Sequence, residues 1–338
     1  MADRGLILAR LRGGGLVSGS ELGRALGVSR AMVRKEIETL VAAGCRIEAV
    51  VGQGYRLVAL PDTPLPEVMA ALWHGQVPYP VHFLREVTST MHVAGDLARA
   101  GAPAGATVVA DHQSAGRGRR GRGWQAPPGE ALLASIVLRP SLPAGASGWL
   151  PLAIAVGAAR AIAEATGGMP GIKWPNDLVH EGRKIAGILV ELALEEQEVR
   201  HAVAGLGINV HQRRFPDEIA ARAVSLRAAF AYHGTRAELL ACLVPQVVAA
   251  VHQLESDPRG LRRAWRELSV TLGRQVAVLG LAEDAQGLAV DVDDFGRLVV
   301  EAPDGRRRAF AAGEISLGQQ AGGGGPTGST SASSPNRT

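Results

Sequence analysis

A basic, glycine-rich loop between two strand-like runs constrains the fold of this chain more than any other feature. The segment 116–124 reads Gly-Arg-Gly-Arg-Arg-Gly-Arg-Gly-Trp, and 112–129 holds four arginines and no acidic residue. It lies between two apolar runs of strand length, 106–110 and 131–138. Glycine allows positive φ and close backbone approach, and arginine offers a planar fork of donors for carboxylate or phosphate oxygens. The pattern predicts a mobile anion clamp, with Trp124 as an aromatic lid.

Three plainer interpretations of this loop compete with the clamp. The spacing Gly116-x-Gly118-x-x-Gly121 matches the dinucleotide-binding fingerprint, but that motif opens a helix directly after a strand. The residues that follow, 125–129, include two prolines and cannot start a helix. An arginine–glycine box for RNA is flanked by more low-complexity sequence, whereas strands flank this loop. A solvated basic loop stays an alternative, because charge runs are commonly solvent-facing.

Length, charge and cysteine usage exclude several classes of protein. A chain of 338 residues has room for two or three domains, and 46% hydrophobic residues fits a globular protein. The net charge of +4 is too small to bind nucleic acid without a local patch. Cys45 and Cys242 fit no zinc spacing, and the nine histidines show no paired-ligand spacing. Without a signal peptide, and with a longest apolar run (149–159) too short to cross a bilayer, the chain is predicted to be cytoplasmic.

Residues 1–60 have the pattern of a winged helix-turn-helix. The predicted elements are three helices and two strands, at 6–11, 21–26, 30–43, 46–50 and 55–58. Ser18 and Glu21 have capping-box spacing, and Ser29 is the expected N-cap of the third helix. Arg30, Arg34 and Lys35 fall on its N-terminal half, where a recognition helix contacts DNA. A helical protein-interaction module is the alternative, because the pattern alone does not prove DNA contact.

Composition divides the rest of the chain. A stiff proline-rich linker at 60–66 leads into a second domain, 67–268. From 270 to 317, short alternating strands with glycine turns predict a small SH3-like barrel. The Gly/Ser/Thr/Pro-rich tail, 318–338, is predicted to be disordered.

Several polar residues and glycines of the second domain have two interpretations each. The hydroxyls of 88–90 lie where a strand meets a helix, and they either cap that helix or hold a small polar ligand. Asn176 and Asp177 fall at a tight hairpin, where such residues commonly only make the turn. Lys184 opens an apolar strand with no acidic neighbour along it, so its ammonium is predicted to point into a site. The glycines of 205–207 indicate close approach of backbone or ligand.

Four motifs taken together resemble the signatures of biotin–protein ligases. They are Gly-Arg-Gly-Arg-Arg-Gly-Arg-x-Trp at 116–124, Lys-Trp-Pro-Asn-Asp at 173–177, Lys-Ile-Ala-Gly-Ile-Leu-Val-Glu at 184–191 and Gly-Leu-Gly-Ile-Asn at 205–209. The N-terminal unit resembles the bifunctional subclass that also represses the biotin operon. The likeness covers 1–317, with one departure at His211, where many members carry asparagine. It implies an α+β multidomain fold with a winged helix-turn-helix, a class-II-synthetase-like α/β ligase domain with a mixed sheet, and an SH3-like β-barrel.

The resemblance also implies a reaction and its residues. Biotin and ATP form biotinyl-5′-AMP with Mg²⁺, and a lysine of a biotin carboxyl carrier domain then takes the biotinyl group. The implied catalytic residues are Arg119, Lys184 and Asp177, the last facing the incoming lysine or Mg²⁺. The implied biotin contacts are Ser89, Thr90, Met91, Gln113, Arg117, Gly118, Arg119, Lys184, Gly187 and Gly207. The implied ATP or adenylate contacts are Arg117, Arg119, Arg120, Arg122, Trp124, Lys173, Asn176, Lys184 and Asn209.

The remaining implications concern partners and rival functions. Operator DNA is expected to meet Ser29, Arg30, Arg34 and Lys35, and a homodimer is expected when the adenylate is bound. A ligase with a non-repressing winged helix, a non-catalytic biotin sensor and a lipoate ligase on the same fold stay as alternatives. Lys184 and the arginine loop disfavour the sensor, since sensing free biotin needs no phosphate clamp.

Overall fold

The computed structural model describes residues 3–279, 285–311 and 313–320, and it begins with three helices and a two-stranded wing. These elements are α1 (Arg4–Leu11), α2 (Gly19–Leu26), α3 (Arg30–Ala42), β1 (Arg46–Val50) and β2 (Gly54–Ala59). Ser18 Oγ accepts from Glu21 N at 3.1 Å, and Ser29 Oγ accepts from Met32 N at 3.3 Å. These caps satisfy backbone donors that a helix start leaves unpaired. The predicted winged helix-turn-helix is confirmed, with α1 beginning two residues earlier than expected.

The linker leads into a helix that packs on the N-terminal unit. This helix, α4 (Pro66–Leu72), lies against α1 so closely that a Cβ on Gly5 would be 2.5 Å from Ala70 Cβ. Arg12 Nη1 donates to the carbonyl oxygens of Ala71 and Leu72 at 3.3 and 3.1 Å, which are unpaired groups at the helix end. The winged helix is therefore docked on the domain that follows it.

A seven-stranded mixed sheet forms the centre of the second domain, as predicted. Its strands are β3 (Val81–Val87), β4 (Thr107–Gln113), β5 (Ala131–Leu138), β6 (Gly171–Lys173), β7 (Asp177–His180), β8 (Arg183–Glu195) and β9 (Glu198–Asn209). The order is β3-β4-β5-β9-β8-β7-β6, with β3 and β4 parallel and the other neighbours antiparallel. Every residue of β5 is buried, which explains its continuous apolar sequence.

Six helices complete the described part of the second domain after β3. They are α5 (Thr90–Arg99), α6 (Leu150–Thr166), α7 (Asp217–Ala220), α8 (Leu226–Phe230), α9 (Arg236–Ser256) and α10 (Pro258–Leu268). The backbones of α6 and α9 approach closely at Gly157, where a Cβ would lie 2.6 Å from the Gln246 carbonyl oxygen. The helical segment 144–166 and α9 are each long and apolar enough to cross a membrane, contrary to the expectation drawn from 149–159. Their most apolar windows are 67% and 50% buried within the protein, as in core helices.

The C-terminal unit is a five-stranded antiparallel sheet. Its strands are β10 (Arg274–Leu279), β11 (Ala285–Val292), β12 (Leu298–Glu301), β13 (Arg307–Phe310) and β14 (Glu314–Gln320), in the order β13-β12-β11-β10-β14. Trp149 and Trp174 of the second domain donate their indole N–H groups to the carbonyl oxygens of Asp293 and Gly296, respectively. These hydrogen bonds attach the C-terminal unit to the second domain. The last strand runs three residues past the expected boundary at 317. The remainder of the predicted disordered tail, 321–338, lies outside the described residues.

Candidate active site

The turn from β3 to α5 forms a polar corner of the site. Ser89 occupies the N-cap position of α5 but makes no capping hydrogen bond, and it is only 1% exposed. Its Oγ is buried without a hydrogen-bond partner among the described residues. A buried hydroxyl without a partner is costly, so a polar ligand is its natural complement. This geometry favours ligand binding over capping for Ser89.

Gln113, at the end of β4, is held in place by Thr90. Its Oε1 accepts from Thr90 N at 2.8 Å and from Thr90 Oγ1 at 3.0 Å. Thr90 Oγ1 also lies 2.7 Å from Ser135 Oγ in the neighbouring strand. Because the Gln113 oxygen is used within the protein, its amide N–H groups face the corner, where a Cβ on Gly116 would lie 3.0 Å from Nε2.

Two glycines leave bare backbone in the middle of the sheet face. Gly187 of β8 and Gly207 of β9 are direct partners in the strand register. A Cβ on Gly207 would lie 2.4 Å from the Trp124 ring, and one on Gly187 would lie 3.1 Å from it. Trp124 thus packs on the glycine pair, defined here as Gly187 and Gly207. Two residues earlier on β9, Gly205 similarly makes room for Met91, which is 4% exposed and part of the core.

Lys184 is not the isolated cation that the sequence suggested. Its Nζ lies 2.7 Å from Asp177 Oδ1, because β7 pairs antiparallel with β8 and brings the carboxylate to it across the sheet. The same Nζ is 5.5 Å from the Trp124 ring centroid, within the range of a cation–π contact. The expectation that Lys184 has no nearby acidic neighbour is met along β8. It is wrong across the sheet, where Asp177 of β7 reaches the ammonium. The ammonium still borders the glycine pair, 2.9 Å from where a Gly187 Cβ would be.

The arginine loop, residues 116–124, is closed against the sheet. Trp124 N donates to Gly116 O at 2.9 Å and Gly118 N donates to Arg122 O at 2.6 Å. Arg117 pairs with Glu191 of β8 at 3.0 Å, so the loop receives an acidic partner from outside its own sequence. Arg120 has φ of 59°, a conformation that favours glycine, and donates to Leu279 O of the C-terminal unit at 3.2 Å.

Arg119 is the arginine of this loop that turns inward. It is half-buried, and its Nη1 donates to Asn176 Oδ1 at 3.3 Å. Burial lowers the pKa of Arg119 below its ordinary value, and the nearby Asp177 carboxylate opposes that effect. Because the ordinary pKa of arginine is far above neutral, Arg119 stays charged at neutral pH. Arg119 therefore brings a partly desolvated positive charge next to the ion pair of Lys184 and Asp177.

Other residues predicted for the site hold its frame or lie at its edge. Asn176 Nδ2 donates to Ile188 O at 2.6 Å, and Asn209 Nδ2 donates to the carbonyl oxygens of Lys184 and Val224 at 3.3 and 3.4 Å. Lys173 ends β6 and is half-buried, whereas Arg122 is exposed. Sequence reasoning assigned no role to Glu191 or Ser135, since their contacts depend on strand neighbours that no local pattern specifies.

The described residues contain no group of three or more His, Cys, Asp or Glu side chains placed to hold a metal ion. Asp177, the predicted Mg²⁺ contact, has one oxygen on Lys184. Cys45 and Cys242 are free thiols, and burial raises their pKa values to about 11 and about 12, which leaves them protonated at neutral pH.

The residues predicted to contact DNA lie together on the surface of α3. Ser29, Arg30, Arg34 and Lys35 are all exposed. Arg34 Nε is 2.9 Å from Glu38 Oε1 in an exposed pair, an interaction that contributes little in water. Phosphate oxygens can therefore compete for Arg34.

Comparison with known proteins identifies the family. The model of the biotin/lipoate A/B protein ligase family matches 83–209, the biotin protein ligase C terminal domain matches 271–318, and an HTH domain matches 4–56. The bifunctional ligase/repressor BirA of Bacillus subtilis is 34% identical over 314 residues, which are 90% of this chain and 95% of that protein. The chain belongs to the bifunctional biotin ligase/repressor family.

Two further relatives agree with this membership. The bifunctional ligase/repressor BirA of Escherichia coli is 33% identical over 317 residues, which are 92% of this chain and 96% of that protein. The solved biotin protein ligase of Aquifex aeolicus in complex with biotin and ATP has a TM-score of 0.60 and 28% identity. The superposition covers 71% of this chain and 99% of the Aquifex aeolicus chain. The predicted family, the multidomain α+β fold and the N-terminal HTH are confirmed, and the C-terminal match favours a biotin ligase over a lipoate ligase.

Proposed function

We propose that this protein couples biotin to a lysine of a carrier domain at the expense of ATP, and that it also represses transcription when its site is occupied. The observation that carries the ligase proposal is the meeting of Lys184 and Trp124 on the glycine pair, with Arg119 close by at Asn176 and Asp177. A cation and an aromatic face lie over bare backbone with a second cation near them, an arrangement suited to an apolar chain that ends in a carboxylate.

The bicyclic head of biotin belongs in the polar corner of Ser89, Thr90 and Gln113. The Ser89 hydroxyl, which has no hydrogen-bond partner among the described residues, and the N–H groups of Gln113 complement the ureido oxygen and N–H groups of biotin. Met91 forms part of the apolar floor beneath the head. From there the aliphatic chain runs over the glycine pair, and Trp124 lifts from Gly207 to admit it and then covers it. The carboxylate at the end of the chain reaches Lys184, Arg117 and Arg119.

In the first step, a carboxylate oxygen of biotin attacks the α-phosphorus of ATP. The new bond joins that oxygen to phosphorus, and the bond from the α-phosphorus to the bridging oxygen breaks, so pyrophosphate leaves with the electron pair. Lys184 and Arg119 neutralise negative charge that grows on the phosphoryl oxygens, an effect that lowers the barrier without covalent participation. Trp124 and Asn176 border the adenylate, and Arg120, Arg122, Lys173 and Asn209 lie around or beneath its phosphate side.

In the second step, the carrier lysine attacks the acyl carbon of biotinyl-5′-AMP. An amide bond forms, the bond to the AMP phosphate oxygen breaks, and the attacking amine loses its proton. Asp177 is the carboxylate nearest to Lys184 and is suited to accept or orient that proton. Mg²⁺, when bound to the ATP phosphates, supplies further charge neutralisation. Since Mg²⁺ commonly takes one or two carboxylates plus substrate phosphates, Asp177 is the residue that fits it.

Four proposals concern partners and location. The acceptor is a biotin carboxyl carrier domain, and the exposed face of α3 contacts operator DNA. A homodimer forms when the adenylate fills the site, because repression through one recognition helix per chain needs two copies on a two-fold site. The protein acts in the cytoplasm, where ATP, carrier and DNA are all present.

The test of the ligase proposal is a mass measurement on the acceptor. The full chain is incubated with biotin, ATP, Mg²⁺ and a biotin carboxyl carrier domain, and we expect the carrier to gain the mass of biotin less water. Omitting ATP, or replacing the acceptor lysine by arginine, removes the gain. An unmodified carrier with folded protein would leave the biotin-sensing regulator as the better description. Lipoate in place of biotin gives no product if the assignment is right.

A further inference from the structure

The linker between the DNA-binding unit and the ligase domain carries a carboxylate that is fixed inside the ligase domain. Asp62 Oδ1 accepts from Arg236 N at 2.8 Å and lies 2.9 Å from His211 Nε2, while Oδ2 accepts from Arg236 Nε at 2.5 Å. The Asp62 carbonyl oxygen also accepts from Ala237 N at 3.1 Å. Asp62 thus pairs the first N–H groups of α9, which have no partner within the helix.

Arg236 connects this carboxylate to the sheet. It is 2% exposed, and its Nη1 lies 2.8 Å from Asp111 Oδ1 of β4. The same atom donates weakly to Ala131 O of β5 at 3.5 Å. A buried guanidinium is tolerated only with well-placed partners. Removing one of these partners leaves a buried charge uncompensated and strongly destabilises the fold around it. Asp62 and Asp111 are those partners, one from the linker and one from the sheet.

His211 connects the carboxylate to a third strand. Its backbone N donates to Glu130 O at 2.8 Å, just before β5, and the residue follows Asn209 at the end of β9. The His211 side chain spans the distance from the end of β9 to the linker, with Nε2 2.9 Å from Asp62 Oδ1.

Each contact reaches a strand that contributes to the biotin site. Asp111 is two residues before Gln113 in β4, and Ala131 pairs with Asn209 across β5 and β9. Gly207 lies two residues before Asn209 on the same strand. Through Arg236 and His211, the linker carboxylate is therefore connected to β4, β5 and β9 close to the residues proposed to bind biotin.

We propose that Asp62 is a positioning residue of the biotin site, so that the linker after the DNA-binding unit helps to hold the strands that bind biotin. The inference rests on the proposed biotin site. Small displacements of binding groups weaken substrate alignment strongly, and any coupling between biotin and the linker is reciprocal. The docking of α1 on α4 holds the two units together independently of Asp62, so neutralising this carboxylate does not detach the winged helix.

The first measurement is steady-state biotinylation of a carrier domain by the full chain carrying Asp62→Asn. We expect KM for biotin to rise about tenfold, equivalent to about 1.4 kcal/mol, while kcat and KM for ATP change less than about twofold. Asp62→Glu keeps the charge and recovers part of the loss. Glu48→Gln, which removes a carboxylate from an exposed pair with Arg56 in the wing, is the matched control and leaves KM unchanged.

The second measurement is hydrogen exchange of the linker, 60–66. Adding biotin slows exchange there in the wild type and has no such effect in Asp62→Asn. A lowered melting temperature with unchanged KM for biotin would reduce Asp62 to a structural tether and overturn the proposal. If Asp62→Asn fails to fold, His211→Ala takes its place with a smaller rise in KM expected, and no rise overturns the proposal equally. An inactive wild type would instead refute the ligase function itself.

Discussion

At the scale of single residues, the ion pair between Lys184 and Asp177 determines how the chemistry responds to substitution. The ammonium faces both a carboxylate and the face of Trp124, so its position is fixed before a substrate arrives. Preorganisation of this kind is what makes a charge effective in a transition state.

Lys184→Ala should therefore suppress adenylate formation in a folded protein. Loss of one preorganised charge typically lowers the rate by about 10²–10³-fold, measured as pyrophosphate release from biotin and ATP. Arg183→Ala is the control, since Arg183 is the neighbouring cation and pairs with Glu181 at the surface. Pyrophosphate release near the wild-type rate in Lys184→Ala would rule out its role.

Arg119→Gly should release the adenylate before transfer. The substitution removes the half-buried guanidinium and adds a glycine to a loop that already has four. Escaped biotinyl-5′-AMP acylates any exposed amine, so bystander proteins become biotinylated, as detected by streptavidin blotting after incubation with biotin and ATP. Arg214→Gly, well separated in sequence from the loop, is the control; a bystander signal no stronger than this control would contradict the clamp.

At the scale of elements, the amide hydrogens of the arginine loop should exchange quickly in the free protein. They should exchange slowly when biotin and ATP are bound. Its glycines make ordering entropically costly, and the Arg117 pair with Glu191 is largely exposed and weak. Exchange across 114–124 is measured with and without biotin plus ATP, with the wing turn, 51–53, as an internal control. Equal protection of the loop in both states would refute ligand-dependent closure.

Local elements were predictable from sequence because their causes are local. Ser18 and Ser29 cap helices through backbone groups three residues away, and the strand at 131–138 is apolar because both of its faces are covered. The partner of Lys184 was not predictable, since it depends on the pairing of β7 with β8 and on a bulge between Leu178 and Val179. The anchoring of Asp62 joins residues more than a hundred positions apart, and no pattern within the linker indicates it.

At the scale of the whole molecule, one winged helix offers too little for tight sequence-specific binding. A monomer should bind DNA weakly and largely through phosphates, with strong salt dependence. We expect binding to DNA from upstream of biotin genes to tighten when biotin and ATP are present, because in the proposed mechanism the adenylate orders loops that complete a dimer surface. A titration with and without both ligands tests this, and ligand-independent affinity would indicate a winged helix that does not repress.

Arg34→Ala separates the two activities within that titration. It should weaken DNA binding while carrier biotinylation stays near the wild-type rate, since α3 lies on the N-terminal unit and not on the ligase sheet. Glu38→Gln is the matched control, because it frees Arg34 from its exposed carboxylate partner and should leave DNA binding equal or stronger. Equal DNA affinity of Arg34→Ala and the wild type would remove α3 from the contact.

The proposed role of the glycine pair also predicts which carboxylic acids can be activated. Trp124 packs directly on Gly187 and Gly207, so a chain admitted when the indole lifts would lie between bare backbone and a flat ring. An unbranched methylene chain fits such a slot, whereas a methyl branch meets either the strands or Trp124. One methyl group in an apolar pocket is worth about 1–3 kcal/mol of discrimination. We therefore expect acids with branched tails to be poor substrates even when their head group and carboxylate match those of biotin.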